Sequence, residues 1–344
     1  MRMKSDFGTT AKGENVVKYS LKNQNGMEVV VSDYGATLVQ VLVPDKNGCL
    51  LDVVLGYDTV EGYENGTVHL GATVGRVANR IGKAEFKLNG TTYHLTQNDN
   101  QNSLHGGRDY YNKRMWQVEE ADDSHVRFYL YSPDGDQGYP GNARIYVTYT
   151  LTEENEVKIH YQAVSDADTL MNLTNHSYFN LAGHASGTIL DQEVMICADA
   201  FTRADAESIP TGEIVPVEGT PMDFRQMKAI GKEIDMDYEA LKFGLGYDHN
   251  WVLNGTGERK IAQMYCEQTG ITMEVSTDLP GVQFYTGNFL EHEQGKEGTV
   301  YEKRQAACLE TQYFPDAIHK EHFEGPVLKA GEKYDTTTTY KFIV

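Results

Sequence analysis

Glu310 closes a short apolar run, Ala306-Ala-Cys-Leu309, and the turn residues Phe314-Pro315-Asp316 follow at once. A charge delivered by an apolar strand is costly unless it has partners or a task. Taken alone, the residue reads as a surface glutamate at a strand end as well as a working carboxylate. A second polar cluster, Leu173-Thr-Asn-His176-Ser-Tyr178-Phe-Asn180, interrupts a strand-like run, so its polar groups must bond to each other or to a ligand. Asn102-Ser-Leu-His105-Gly-Gly107 sets a histidine in flexible backbone, where it serves structure as readily as chemistry. Gly71 to Gly82 surrounds Arg76, Asn79 and Arg80 with glycines and small residues. Glycines let backbone approach a ligand closely, and an arginine fork donates several hydrogen bonds to oxygen atoms; the alternative is a turn with surface arginines. Asp248, in Gly246-Tyr-Asp-His-Asn-Trp251, and Gln283, in Pro280-Gly-Val-Gln-Phe-Tyr285, complete a set of planar amides, carboxylates and rings. That set suits sugars, because amides and acids grip hydroxyls while rings cover the C–H face.

Other chemistries do not fit these spacings. Gly71 to Gly82 lacks the terminal Gly-Lys-Ser/Thr of a phosphate loop. Gly244-x-Gly246-x-x-His249 lacks the third glycine of a dinucleotide site. Asp134-Gly-Asp136 opens like a calcium loop, but Tyr139 and Ile145 stand where Gly and Glu are needed. It reads as a turn, with Gly138-Tyr-Pro-Gly141 placed to shape a site edge. His319-Lys-Glu-His322 does not match the zinc helix pattern, although His105, His176 and Glu310 can in principle meet around zinc.

These residues must be positioned by β structure. Runs rich in Val, Tyr, Thr and Ile recur between Gly, Asn, Asp or Pro, a spacing that predicts antiparallel strands. Asn23-Gln-Asn-Gly26 and Asn89-Gly90 predict hairpins. Strands are expected at 126–131, 143–151, 157–164, 170–173, 194–198, 251–253, 261–266, 271–276, 282–285 and 336–344. Only Asp223 to Leu241 has a helical pattern, broken by Gly231 into two short pieces. The expected fold is all-β, a large antiparallel β-sandwich with few short helices, forming one domain over residues 1–344.

A net charge of −20, from 50 acidic and 30 basic side chains, repels phosphate backbones and anionic membranes. No nucleic-acid or membrane partner is expected. The four cysteines are scattered without a C-x-x-C pair, which predicts buried thiols in a reducing compartment. The N-terminal stretch shows no apolar signal core and no segment reaches the length of a membrane span, so the expected location is cytoplasmic.

Taken in order, GRVANRI (Gly75 to Ile81), NSLHGG (Asn102 to Gly107), TNHSYFNLAG (Thr174 to Gly183), GYDHNWVL (Gly246 to Leu253), PGVQFYTGNFL (Pro280 to Leu290) and LETQYFPDAIH (Leu309 to His319) resemble the galactose mutarotase, or aldose 1-epimerase, family. The resemblance implies the mutarotase-like supersandwich and cofactor-free, metal-free exchange of the α and β anomers of free hexoses such as galactose and glucose. It implies Glu310 as general base on the C1 hydroxyl and His176 as general acid on the ring oxygen. The same resemblance assigns Asn79, Arg80, His105, Tyr178, Asp248 and Gln283 to sugar binding, with Arg80 and His105 placed to polarise the ring oxygen or nascent carbonyl. A carboxylate near ~4.3 is ionised at neutral pH, and an imidazole near ~6.5 is kept protonated by carboxylate charge beside it. The sequence departs from the family pattern after Ile318, where His319-Lys-Glu-His-Phe323 predicts an altered loop. Three alternatives stay open: a same-fold epimerase of a phosphorylated hexose or disaccharide, a non-catalytic sugar-binding module, and a glycosidase pairing Glu310 with Asp248. Assembly is expected to be monomeric or homodimeric.

Overall fold

The computed structural model describes residues 3–344; Met1 and Arg2, in the segment read for an export signal, lie outside the described residues. Three antiparallel sheets dominate. A five-stranded N-terminal sheet runs from Lys4–Thr9 to Leu50–Asp52 in sequence order. A nine-stranded sheet is centred on Ala143–Leu151, Glu156–Ser165 and Lys333–Ile343. A second five-stranded sheet orders Pro210–Pro216, Ala198–Ala204, Asp248–Leu253, Gly281–Tyr285 and Cys308–Gln312. Glu156–Ser165 alternates buried and half-buried residues along its whole length, as a strand with one face on a core must. The expected Asn23–Gly26 and Asn89-Gly90 hairpins both form, joining Asn15–Lys22 to Glu28–Ser32 and Glu85–Leu88 to Thr91–His94.

The last two strands of the second five-stranded sheet are buried on both faces. Period-two alternation explains why. Trp251, Val282, Phe284 and Leu309 join Tyr340 and Phe342 in the main core, each contributing about 1.5–3 kcal/mol relative to exposure. The Tyr340 hydroxyl donates to the Leu309 carbonyl at 3.0 Å, and the Thr311 and Thr338 hydroxyls bond across the same contact. The other face therefore carries Asp248, Asn250, Gln283, Tyr285, Cys308, Glu310 and Gln312.

Asp223 to Leu241 is not a broken helical pair. Lys228–Ala229 pairs as a strand with Glu193–Ile196, Ile230–Lys232 is a 3-10 turn, and only Glu239–Gly244 is α-helical. Tertiary contacts override local propensity here. The Lys228 ammonium is drawn inward to the Pro221 carbonyl and Glu233, and Gly231 packs so closely that an added Cβ would lie 2.9 Å from Leu190 Cβ. Leu170 to Leu173 is likewise shorter than expected, with Thr169–Leu170 alone pairing to Val327–Leu328. The cysteines divide: Cys266 and Cys308 are buried, Cys197 is half-buried and Cys49 is exposed. No helix among the described residues is long and apolar enough to cross a membrane.

Candidate active site

Register brings the site together. Gln283 sits directly opposite Glu310 on one side and Asn250 on the other, and Asp248 lies opposite Tyr285. Gln283 Nε2 donates to Asp248 Oδ1 at 2.7 Å, and Gln283 Oε1 accepts from Gln312 Nε2 at 3.2 Å, so both ends of the amide are fixed. Above this face runs Thr174–His176, paired with Ala72–Val74, and Phe179 exchanges both backbone hydrogen bonds with Ala307. Strand alternation turns Asn175 away from His176, and the chain has left the strand before Asn180. Asn175 and Asn180 turn away to hold Gly71, Tyr149, Gly187 and Gln305, whereas His176 and Tyr178 face the cavity.

The remaining wall comes from two loops that clasp each other. Asn79 and His105 both adopt left-handed backbone, with φ of 60° and 54°. The Asn79 amide N–H donates to His105 Nδ1 at 3.2 Å while the His105 N–H donates to the Asn79 carbonyl at 3.0 Å. Gly106 makes this approach possible: at φ 88°, any Cβ would stand 2.2 Å from the Gly75 carbonyl oxygen. Arg80 Nε is held by Asp99 at 2.6 Å, which fixes the direction of its guanidinium.

The result is a cavity of about 290 Å³ that includes all eight residues singled out from sequence: Asn79, Arg80, His105, His176, Tyr178, Asp248, Gln283 and Glu310. Its size is at the small end for ligand pockets. Glu310 is 2 % exposed, and its Oε2 has no hydrogen-bond partner among the described residues. Glu310 Oε1 lies 3.6 Å from His176 Nε2. His176 is stacked on Tyr178, with centroids 5.0 Å apart, and its Nδ1 is 3.5 Å from the Cys308 sulfur.

Burial sets the ionisation of this pair. The Glu310 carboxyl is pushed well above the usual carboxylate range by desolvation, with the Asp248 charge adding to the effect and Arg80 opposing it. Desolvation and the neighbouring His69 imidazole lower His176 to about 3. The expectation that carboxylate charge keeps His176 protonated therefore fails in the sugar-free site. Withdrawal from water favours the neutral form of both groups, so the one shared proton rests on the carboxyl rather than the imidazole.

A profile of the aldose 1-epimerase family matches residues 17–341. The chain belongs to the aldose 1-epimerase family. It is 43% identical over 340 residues to galactose mutarotase from Homo sapiens, an alignment covering 98% of this chain and 97% of that one. It is 36% identical over 328 residues to aldose 1-epimerase from Escherichia coli, covering 94% of each. Among solved structures, an aldose epimerase homologue from C. elegans superposes with a TM-score of 0.89 at 33% identity, covering 95% of this chain and 98% of that one. Galactose 1-epimerase from Lactobacillus acidophilus gives 0.86 at 30%, covering 99% and 98%. The mutarotase-like supersandwich expected from the sequence is the fold of this aldose 1-epimerase family member.

Two features of the motifs turn out to be structural. Arg76, from the same cluster as Arg80, is fully buried and donates to the Pro140 and Gly141 carbonyls, Thr169 and Ser132, outside the cavity. Gly138 to Gly141 does not line the cavity; its carbonyls receive Arg76 instead. The altered segment after Ile318 reaches the site indirectly. His319 and Lys320 pair with the buried Asp316 at 2.6 and 3.2 Å. Asp316 in turn accepts from the Gly82 N–H at 2.8 Å and donates its own N–H to the Arg80 carbonyl at 2.9 Å. These bonds tie the chain beyond Glu310 to the segment that carries Arg80.

Sequence reasoning missed His69 and Tyr110, which also line the cavity, and left Phe289 inside PGVQFYTGNFL without singling it out. His69 stands two residues before the Gly71 cluster, and nothing in its immediate neighbours marks it. Phe289 is 53% exposed and stacked on Tyr285 at 6.1 Å, an aromatic edge at the rim. The meeting of His105, His176 and Glu310 also occurs, with one potential ligand atom from each lying within 4.8 Å of the others. The donor set does not suit a metal ion. His105 Nδ1 accepts the Asn79 N–H, so the neutral ring carries its proton on Nε2 and has no free lone pair to give.

Proposed function

We propose that this chain is an isomerase that interconverts the α and β anomers of a free hexose such as galactose or glucose. The observation that carries the reading is the buried Glu310–His176 pair, 3.6 Å apart in a small cavity whose other polar walls include Asn79, Arg80, His105, Tyr178, Asp248 and Gln283. The Glu310 carboxylate accepts the proton of the C1 hydroxyl while imidazolium His176 gives its proton to the ring oxygen. The C1–O5 bond breaks, leaving an aldehyde and a C5 hydroxyl. Rotation about C1–C2 presents the other carbonyl face, and both proton transfers reverse on closure. No group is consumed, so the chemistry requires one donor and one acceptor and nothing else.

The pair carries one proton whether written as carboxylic acid with imidazole or carboxylate with imidazolium. Sugar hydroxyls brought against Glu310 supply the dipoles that burial removes, and these favour the charge-separated form in which each group has its catalytic role. Asn79, Arg80, His105, Tyr178, Asp248 and Gln283 are proposed to hold the sugar. Arg80 is the only arginine or lysine lining the cavity among the described residues, and Asp99 already holds it, while Asp248 brings negative charge. That balance favours a neutral sugar over a phosphorylated one. A sugar-binding module would have no use for a desolvated carboxyl beside an imidazole. We further propose that residues 1–344 act as one cytoplasmic domain. Polarimetry on freshly dissolved α-D-galactose and α-D-glucose tests the function: acceleration of the optical change is expected, and its absence for every free hexose overturns the reading.

A further inference from the structure

His69 is unaccounted for by the proton transfers, yet it lines the same cavity as Glu310 and His176. Its ring packs against His105 with centroids 5.0 Å apart and against Tyr110 at 4.8 Å, both near-perpendicular. Its backbone is left-handed at φ 59°, a conformation uncommon for a residue with a side chain and worth a functional question when it occurs at a cavity wall. The surrounding scaffold holds it there. The Lys113 ammonium donates to the carbonyls of Glu64 at 3.0 Å and Gly66 at 2.6 Å, closing the end of the Val60–Asn65 helix just before Val68 and His69. The Ala72 N–H then donates to the His69 carbonyl at 3.1 Å, and the Tyr178 hydroxyl donates to the Val68 carbonyl at 2.8 Å.

Hydrogen bonding fixes what each ring offers. His105 accepts at Nδ1 from the Asn79 N–H and so offers an N–H from Nε2. The His69 ring lies beside it in the same cavity wall, with centroids 5.0 Å apart. Burial favours its neutral form, and a neutral imidazole carries one acceptor nitrogen beside its one N–H. Two adjacent imidazoles thus present one donor and one acceptor. A hydroxyl is the group that meets both, because it donates one hydrogen bond and accepts others.

We infer that His69 is a specificity-determining residue, paired with His105 to clasp a single neutral hydroxyl of the bound sugar. The inference rests on the proposed anomer exchange and deepens it, for it names a sugar contact on the wall away from the Glu310 strand. A sugar lacking that hydroxyl leaves the donor and acceptor without their common partner. A phosphate or carboxylate in its place supplies no proton for the His69 acceptor.

The test is steady-state polarimetry on galactose and its 2-, 3-, 4- and 6-deoxy analogues, using wild type, His69→Ala and His69→Asn. Asparagine keeps an acceptor oxygen and tolerates left-handed backbone, so it serves as the conservative variant. His69→Ala is expected to raise KM for galactose about 3- to 10-fold, the worth of one hydrogen bond, with kcat little changed. The same substitution should have no effect on one analogue alone, the one missing the clasped hydroxyl. His69→Asn should recover most of the lost affinity. An unchanged KM in His69→Ala, or an equal loss on all four analogues, overturns the inference, because a merely structural histidine would affect every sugar alike. Wild-type acceleration of galactose is read in the same experiment, so failure of the underlying reaction is seen separately.

Discussion

His176 Nε2 and Glu310 Oε1 face each other at 3.6 Å with both side chains withdrawn from water. That separation is beyond an ordinary hydrogen bond, so the two groups stand within reach of one substrate without being bonded to each other. The pair comes from segments 134 residues apart, joined where Phe179 and Ala307 exchange backbone hydrogen bonds and Asn180 reaches the Gln305 carbonyl, which sets His176 over the face of Cys308–Gln312.

Glu310→Gln keeps the shape of the carboxyl but cannot take a proton. Turnover of α-D-galactose is expected to fall about 10²- to 10⁴-fold. Polarimetry of the variant beside wild type decides the point, and equal rates would remove Glu310 from the role.

His176→Asn should retain sugar binding, measured by calorimetry, and lose turnover to a similar degree. Groups that act as one unit lose their function together. The Glu310→Gln/His176→Asn double variant is therefore expected to be little slower than either single one, and fully additive losses would show two independent contributions.

The pH dependence follows from the raised Glu310 carboxyl. As pH climbs through that raised value the sugar-free pair loses its single shared proton, no acid remains for the ring oxygen, and kcat/KM falls. Asp248→Asn removes a negative charge that helps hold the carboxyl proton, so Glu310 ionises more readily. The alkaline limb of the pH–rate profile should move to lower pH in this variant, whatever happens to its height. A limb that stays in place or moves upward contradicts the assignment.

Asp99→Asn tests the positioning of Arg80. The 2.6 Å ion pair fixes the guanidinium, and its loss frees several rotamers. KM for galactose is expected to rise about 3- to 10-fold, with a smaller change in kcat. Steady-state kinetics showing no change in either would mean that Arg80 is held without Asp99.

Arg76→Met addresses stability rather than chemistry. It strips buried acceptors on Ser132, Pro140, Gly141 and Thr169 of their donor. The expected loss is about 3 kcal/mol in urea unfolding, with KM preserved in the fraction that stays folded. A shift in KM at unchanged stability would return Arg76 to the sugar site.

Much of this was legible in the chain itself. Alternating apolar and polar residues with Asn-Gly turns determined antiparallel strands, because strand side chains point to opposite faces and few residues accept the turn geometry. The ordered motifs marked the eight polar residues that meet in the cavity. Tertiary structure decided what pattern could not. Arg76 and Arg80 look alike in Gly75 to Ile81, and only three-dimensional packing sends one among buried carbonyls and the other to Asp99 beside the cavity. His69 has no distinguishing neighbours, and its importance arises from where Lys113, Tyr178 and Asn79 fix three separate loops. The ionisation of Glu310 and His176 is the clearest case. Residue types fix their ordinary acidities, but desolvation depends on every atom packed around them, and those atoms come from strands and loops spread along the chain.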